Sequence, residues 1–367
     1  MNRQQKLIAR AVSRIADDLV VLDDSTNVKL LESFQQGVFP DRARQTNRDF
    51  RNWLYLTKNR GRLLYCEKDG IVAGQQGMID TELQVQSRGV PAVWAVDLRV
   101  RPEWKMKGLG VALIGTALSQ NGVVLAVGIS DDAHKMFKRQ GWVDLGRVAS
   151  FIRPVSARGM AKHGSPQSFI GRAIRSMIAF VLEICDFKLR ILLGFGRRGI
   201  EIERVKKFDD SIDSFLSTWA AEHVVSCARS ADFLNWRFRD CPLDSEYQIY
   251  KFSDKDKLMG YMVLCSGERN GKQTLFVEEL ISRPEHYRLL VDSAIRFAYE
   301  QGLDAIYYRG LDSKLQQTLS RRLFVGRSDG PRFMFHCDND RIGSVLAKSA
   351  NWRISSADSD MGFSLDS

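Results

Sequence analysis

Apolar positions along the chain switch between two rhythms, and the switches come in the same order twice. Trp94 to Val100 reads as a central strand, and the stretch from about Gly108 to Gln120 carries helical spacing. Val123 to Ile129 is then a nearly continuous apolar run after Gly122, the mark of a strand covered on both faces. Asp132 to Gln140 reads as the next helix. Further along, Thr274 to Ile281, Pro284 to Gln301, Ala305 to Tyr308 and Ser313 to Leu323 repeat strand, helix, strand and helix. Strands alternating with helices in this way predict a mixed α/β fold, each half a twisted mixed sheet flanked by helices.

The repetition extends to residue patterns. Phe50-Arg51-Asn52-Trp53-Leu54-Tyr55 returns as Phe233-Leu234-Asn235-Trp236-Arg237-Phe238 at a displacement of 183, Asp97 falls on Glu279 at 182, and the same offset sets Trp142 on Phe324. Two related half-chains account for this. A length of 367 residues also favours two domains over one. The expected division is residues 1–155, a linker over 156–199 and a second domain over 200–367.

Apolar residues at 44% and charged residues at 27% are those of a globular chain, which excludes collagen-like or disordered character. Six cysteines, none closer than 14 residues to the next, exclude a CxxC metal knuckle and a disulfide-dense scaffold, so no metal cofactor is expected and a reducing cytoplasmic compartment is the simpler reading. The first 22 residues lack the continuous apolar core of a secretory signal, and the apolar stretch Ile174 to Phe195 is interrupted by Arg175, Glu183, Asp186, Lys188 and Arg190, so a membrane span is not expected. Of the net charge of +10, the 44 residues from Ser156 to Gly199 hold +6. Within them Phe169 to Leu193 has a broad apolar face. A helix packing the two halves together is the favoured reading; an amphipathic helix lying on the inner membrane face, with contact through residues 169–198, is the other.

The densest chemistry follows the first central strand. Lys105-Met106-Lys107-Gly108-Leu109-Gly110 joins a strand to a helix start, where glycines let backbone N–H groups approach an oxyanion and the helix dipole and two lysines favour negative charge. Twenty residues past Gly110 comes Ser130-Asp131-Asp132-Ala133-His134-Lys135-Met136-Phe137-Lys138-Arg139-Gln140-Gly141-Trp142. Together these resemble the GNAT (GCN5-related) N-acetyltransferase superfamily, whose pyrophosphate loop reads R/Q-x-x-G-x-G/A and whose later motif reads N-x-x-A-x-x-x-Y-x-K-x-G-F. The resemblance covers about residues 30–153.

That resemblance implies an acyltransferase using acetyl-CoA or another acyl-CoA as cosubstrate. Leu98, Arg99 and Val100 would pair with the pantetheine arm, and Lys105, Lys107, Gly108, Leu109, Gly110 and Val111 would cradle the pyrophosphate, with Ala133 and Phe137 beside the cofactor. Phe137 stands where many relatives carry a tyrosine that protonates the leaving thiolate, which a phenyl ring cannot do; Ser130, His134 or water would take its place, or the thiolate would leave unaided. For the base that deprotonates the incoming amine the candidate is Asp97, a carboxylate in an apolar strand, weighed equally against a purely structural acceptor, with His134 as rival. The second half has Tyr287, Leu290 and Asp292 at the positions of Lys105, Gly108 and Gly110, and is expected to be a degenerate copy that binds no CoA.

Phe233 to Phe238 (F-L-x-W-R-[YF]) and Trp352 to Asp360 (W-x(5)-D-S-D) look like elements of a bacterial group associated with envelope polysaccharide assembly, which implies a small amine or amino-sugar acceptor. An acyl-CoA sensor or scaffold without catalysis is the alternative. No specific nucleic-acid partner is expected, and monomer and homodimer both stay open.

Overall fold

A computed structural model describes residues 3–23, 28–40, 43–105, 107–155, 177, 199–243, 246–255 and 257–363. The basic segment, and with it the expected linker helix and membrane contact, lies outside the described residues apart from Met177 and Gly199.

The first half runs α1 (Arg3–Ser13), β1 (Leu19–Val21), α2 (Val28–Val38), α3 (Arg48–Tyr55), β2 (Gly61–Lys68), β3 (Ile71–Val85), β4 (Arg88–Val100), α4 (Leu109–Gln120), β5 (Val123–Val127), α5 (Asp131–Arg139), β6 (Val143–Arg147) and β7 (Ser150–Pro154). The second half repeats the order with β8 (Ile200–Val205), β9 (Val225–Cys227), β10 (Gln248–Asp254), β11 (Lys257–Arg269), β12 (Lys272–Ser282), β13 (Ala305–Leu311), β14 (Val325–Arg327), β15 (Arg332–Cys337) and β16 (Trp352–Ser355). Its helices are Ser211–Ala221, Ala231–Phe238, Tyr287–Glu300, Ser313–Arg321 and Asp340–Leu346. The mixed α/β class expected from the sequence is the one observed. The strand expected from Trp94 is the end of a longer one that begins at Arg88, and β5 stops at Val127, before Gly128 takes φ +73°.

The halves exchange strands. Antiparallel β2–β3–β4 continues through the parallel β4–β5 pair, but the next strand is β15, carried by the second half, with Phe333, Met334 and Phe335 opposite Val127, Ala126 and Leu125. Conversely β7, at the end of the first half, pairs with β13 from Ala305 to Arg309. The single path continues through β3–β9–β16–β13, joining both halves in one sheet. The exchanged strands carry apolar side chains into the partner half: Phe333 and Phe335 join the core around Trp94 and Leu125, and Phe151 joins the core around Leu264 and Ile306. Neither half closes its hydrophobic core without the other.

The sequence echo has a structural counterpart. Asn47 caps α3 by accepting from the Phe50 amide, and Ser230, 183 positions on, caps its helix by accepting from Phe233. Their tryptophans, Trp53 and Trp236, stack on one another at 4.6 Å and 18° between planes, so the two copies of the motif meet across the boundary between halves.

Candidate active site

β4 carries a bulge. Val96 pairs with Gly77 and Arg99 with Gln75, so Asp97 and Leu98 face a single residue of β3. Asp97 takes φ +53°, a conformation an Asp tolerates better than most residues, and its carbonyl accepts from Gln75. Gln75 in turn accepts from Gln35, which accepts from Arg51, itself paired with Glu32. Gln75, Gln35 and Arg51 are all buried, so this chain of polar groups fixes the bulge from the side of α2 and α3.

The bulge turns the Asp97 carboxylate out of the ladder into a pocket of polar groups. Oδ2 accepts from the Tyr55 hydroxyl at 2.7 Å, and Oδ1 accepts from Gln45 Nε2 at 2.8 Å. Arg44 stands next to them and pairs through Nη2 with Asp360 at 2.6 Å. Burial pushes the Asp97 carboxyl above its ordinary range; Arg44 opposes this, Asp360 reinforces it, and the hydrogen bonds from Tyr55 and Gln45 favour the ionised form. Tyr55 is held far above the usual phenol range by its own burial and by Asp97, so it stays a donor. Gly77 makes this possible: a Cβ there would lie 2.2 Å from the Tyr55 oxygen.

Beyond the bulge, β4 passes through a short turn (Pro102–Trp104) to α4. Gly108 caps that helix at φ +85° with open space where a Cβ would project, and Lys105 and Lys107 are exposed beside it. The first-turn N–H groups of α4 have no partners within the helix, so the end of α4 has the open, positively polarised form that a phosphate needs.

No family model matches the chain and no curated protein matches it in sequence. Solved structures do match. A GCN5-related N-acetyltransferase from Anabaena variabilis superposes with a TM-score of 0.61 over 88% of this chain and 74% of its own, at 14% identity. N-myristoyltransferase of Saccharomyces cerevisiae with bound myristoyl-CoA gives 0.54 over 87% and 82%, also at 14% identity. A probable N-acyltransferase from Enterococcus faecalis gives 0.56 over 87% and 72% at 11% identity. The chain has the GNAT fold.

Within this GNAT fold the remaining candidates fall in two groups. Arg99 is exposed and lies over the Phe39 ring, while Leu98, Val100 and Val111 are half-buried, Leu98 and Val100 against the apolar cluster that holds Leu109. They flank the space where β4 and β5 part, after their last parallel pair at Trp94 and Leu125. The other group lies on α5. Ser130 is exposed and its hydroxyl caps α5 by accepting from Ala133 N, His134 bonds Asp144 at 2.6 Å, and Phe137 is buried face to face with Trp142 at 4.4 Å. Phe137 therefore packs in the core beneath β5, among Ile114, Ala126 and Met334.

The second half lacks the equivalent features. Its turn Pro284–His286 runs straight into the helix at Tyr287, without the four residues 105–108 that open the cradle in the first half. Leu290 is fully buried, and Asp292 is paired with Arg322 at 2.6 Å. A bulge persists between β11 and β12, where Glu278 is the unpaired residue; next to it Glu279, the residue 182 positions after Asp97, is fully buried against Arg229 at 3.1 Å. At the 182 offset, Asp97 is held by neutral donors, Tyr55 and Gln45, whereas Glu279 is held by the Arg229 guanidinium.

Sequence reasoning missed Tyr55, Gln45, Arg44 and Asp360. For Tyr55 a signal was present: the paired motifs end in Tyr55 and Phe238, so only the half with the glycine cradle keeps the hydroxyl. Gln45 and Arg44 lie in an irregular stretch before α3 that no periodicity marks.

Proposed function

We propose that the chain is an acyl-CoA-dependent N-acyltransferase working in its first half on a small amine, including the amino group of an amino sugar. The observation that carries this is the placing, along one strand–turn–helix segment, of a desolvated carboxylate at Asp97 and an open helix start at Gly108 suited to phosphate. Bound acyl-CoA supplies an activated acyl group. Lys105, Lys107 and the first turn of α4 hold its phosphates, and the gap between β4 and β5 receives its arm. Asp97 takes the proton that an ammonium must lose before its nitrogen attacks. The C–N bond then forms, the C–S bond breaks, and CoA leaves as the thiol. Tyr55 and Gln45 orient the Asp97 carboxylate, while its burial makes it more basic than an exposed carboxylate. Phe137 has no proton to give, and in the core beside Trp142 it has a packing role.

Release of free thiol from acetyl-CoA and longer acyl-CoAs, measured with a panel of primary amines and amino sugars, tests the reading. Asp97→Asn should lower turnover by about two to four orders of magnitude and leave CoA affinity nearly unchanged. Absence of amine-dependent thiol release across the panel would instead favour an acyl-CoA sensor.

A further inference from the structure

Arg44 pairs with a carboxylate from the far end of the chain. After β16, residues 355–362 form a tight strap. Arg237, buried, donates through Nε to the Ala357 carbonyl and through Nη2 to that of Ser356, both at 3.1 Å. Asp358 is clamped by Arg229 at 2.8 Å and accepts from the Ser355 amide at 2.9 Å. Ser359 takes φ +59° and its hydroxyl donates to Asp360 Oδ1 at 3.0 Å. These anchors belong to the second half, and they deliver Asp360 Oδ2 to Arg44 of the first half at 2.6 Å.

The groups facing Asp97 are Arg44 and Gln45 from the turn Arg44–Thr46, Tyr55 from α3, Gln75 from β3 and Asp360 from the strap. Among the described residues, Arg44 and Asp360 are the charged groups that act on Asp97, and they oppose each other; buried Arg237 acts on Asp360 from the second half and on Glu278 as well. Without Asp360, the side of Asp97 would hold one arginine and one carboxylate, with no surplus charge to attract an ammonium. With it, two carboxylates, Asp97 and Asp360, face the Arg44 guanidinium.

We propose that Asp360 is a positioning residue through which the second half takes part in catalysis: by neutralising Arg44 it keeps the acceptor side anionic, recruits a protonated primary amine, and sets the protonation of Asp97. This rests on the reading of Asp97 as the base. It also gives the second half a function that does not require it to bind CoA.

The test uses the full chain as Asp360→Asn, Arg44→Gln and the double variant, with folding checked by thermal melting. In samples carrying ¹³C-labelled aspartate, the Asp97 carboxyl, assigned by its loss in Asp97→Asn, should titrate at lower pH in Asp360→Asn, at higher pH in Arg44→Gln, and near the parent position in the double variant. KM for a cationic primary amine should rise several-fold in Asp360→Asn, and KM for hydroxylamine, neutral at the assay pH, should not. An Asp97 titration unmoved by both single variants, or equal KM changes for the two acceptors, would overturn the proposal. Loss of folding in Asp360→Asn leaves Arg44→Gln, with its opposite predicted shift, to decide. If Asp97→Asn leaves turnover intact while the titrations shift as stated, it is the base assignment that fails, because the NMR readout does not depend on activity.

Discussion

Replacing Gly77 by alanine should damage the site without touching any charged group. The added methyl would sit 2.2 Å from the Tyr55 oxygen, 2.8 Å from Cζ and 3.0 Å from Cε1. Tyr55 is only 5% exposed and its hydroxyl is fixed to Asp97 at 2.7 Å, so the ring cannot withdraw while keeping its bond. Either the strand shifts, an overpacking cost of about 1–3 kcal/mol, or the ring swings away and gives up a hydrogen bond to a carboxylate worth about 1.5–3 kcal/mol. The cheaper route bounds the loss, so urea unfolding should show Gly77→Ala destabilised by roughly 1–3 kcal/mol. In a Tyr55→Phe background the atom at 2.2 Å is gone, and the same substitution should cost less. The four proteins form a double-mutant cycle with a coupling of about 0.5–3 kcal/mol. Additive effects, or a Gly77→Ala protein as stable as its parent, would refute the argument that this glycine exists to seat Tyr55.

Other consequences follow from the same contacts. Tyr55→Phe removes a donor to the ionised form of Asp97, so the Asp97 carboxyl should rise further and the acidic limb of the pH–rate profile should move to higher pH, as read from thiol release at saturating acyl-CoA. Glu278 is buried, and burial raises its carboxyl from 4.5 to about 7 despite Arg237 and Arg309. The folded state therefore holds this proton more tightly than the unfolded one. Its favourable contribution is complete below pH 4.5 and is lost as pH rises through about 7. That gap is worth roughly 3 kcal/mol, so Glu278→Gln should gain stability relative to the parent between pH 4.5 and 8 by an amount of this order in pH-dependent melting. Trp236→Ala removes a buried ring stacked on Trp53 and should cost about 3–5 kcal/mol, seen as a lowered unfolding midpoint.

Much of the fold was legible because its signals are local. The Gly108 cradle, the run from Val123 and the paired F-x-N-W motifs each reflect a short-range constraint, and the 182-residue offset matches Pro102–Trp104 to Pro284–His286 and α5 to Ser313–Arg321. The strand exchange was not legible. β7 and β15 have the same apolar character whichever sheet they join, and only tertiary packing decides that Phe333 lies beside Trp94. The site divides in the same way. Asp97 stands out as a charge inside an apolar strand, whereas Arg44 and Asp360 gain meaning only when the strap brings distant segments together. Ser130 stands in sequence as one replacement for the proton donor missing at Phe137, and in space its hydroxyl caps α5.

The proposed function depends most directly on where CoA binds. Calorimetric titration of the full chain with acetyl-CoA, compared with Gly110→Leu and Leu290→Ala, reads this without knowledge of the acceptor. Met136 Sδ lies 3.6 Å from where a Cβ on Gly110 would project, and a leucine reaching further would crowd the start of α4. We expect one site per chain, strongly weakened by Gly110→Leu and unchanged by Leu290→Ala. Two sites per chain, or binding indifferent to Gly110→Leu, would contradict it.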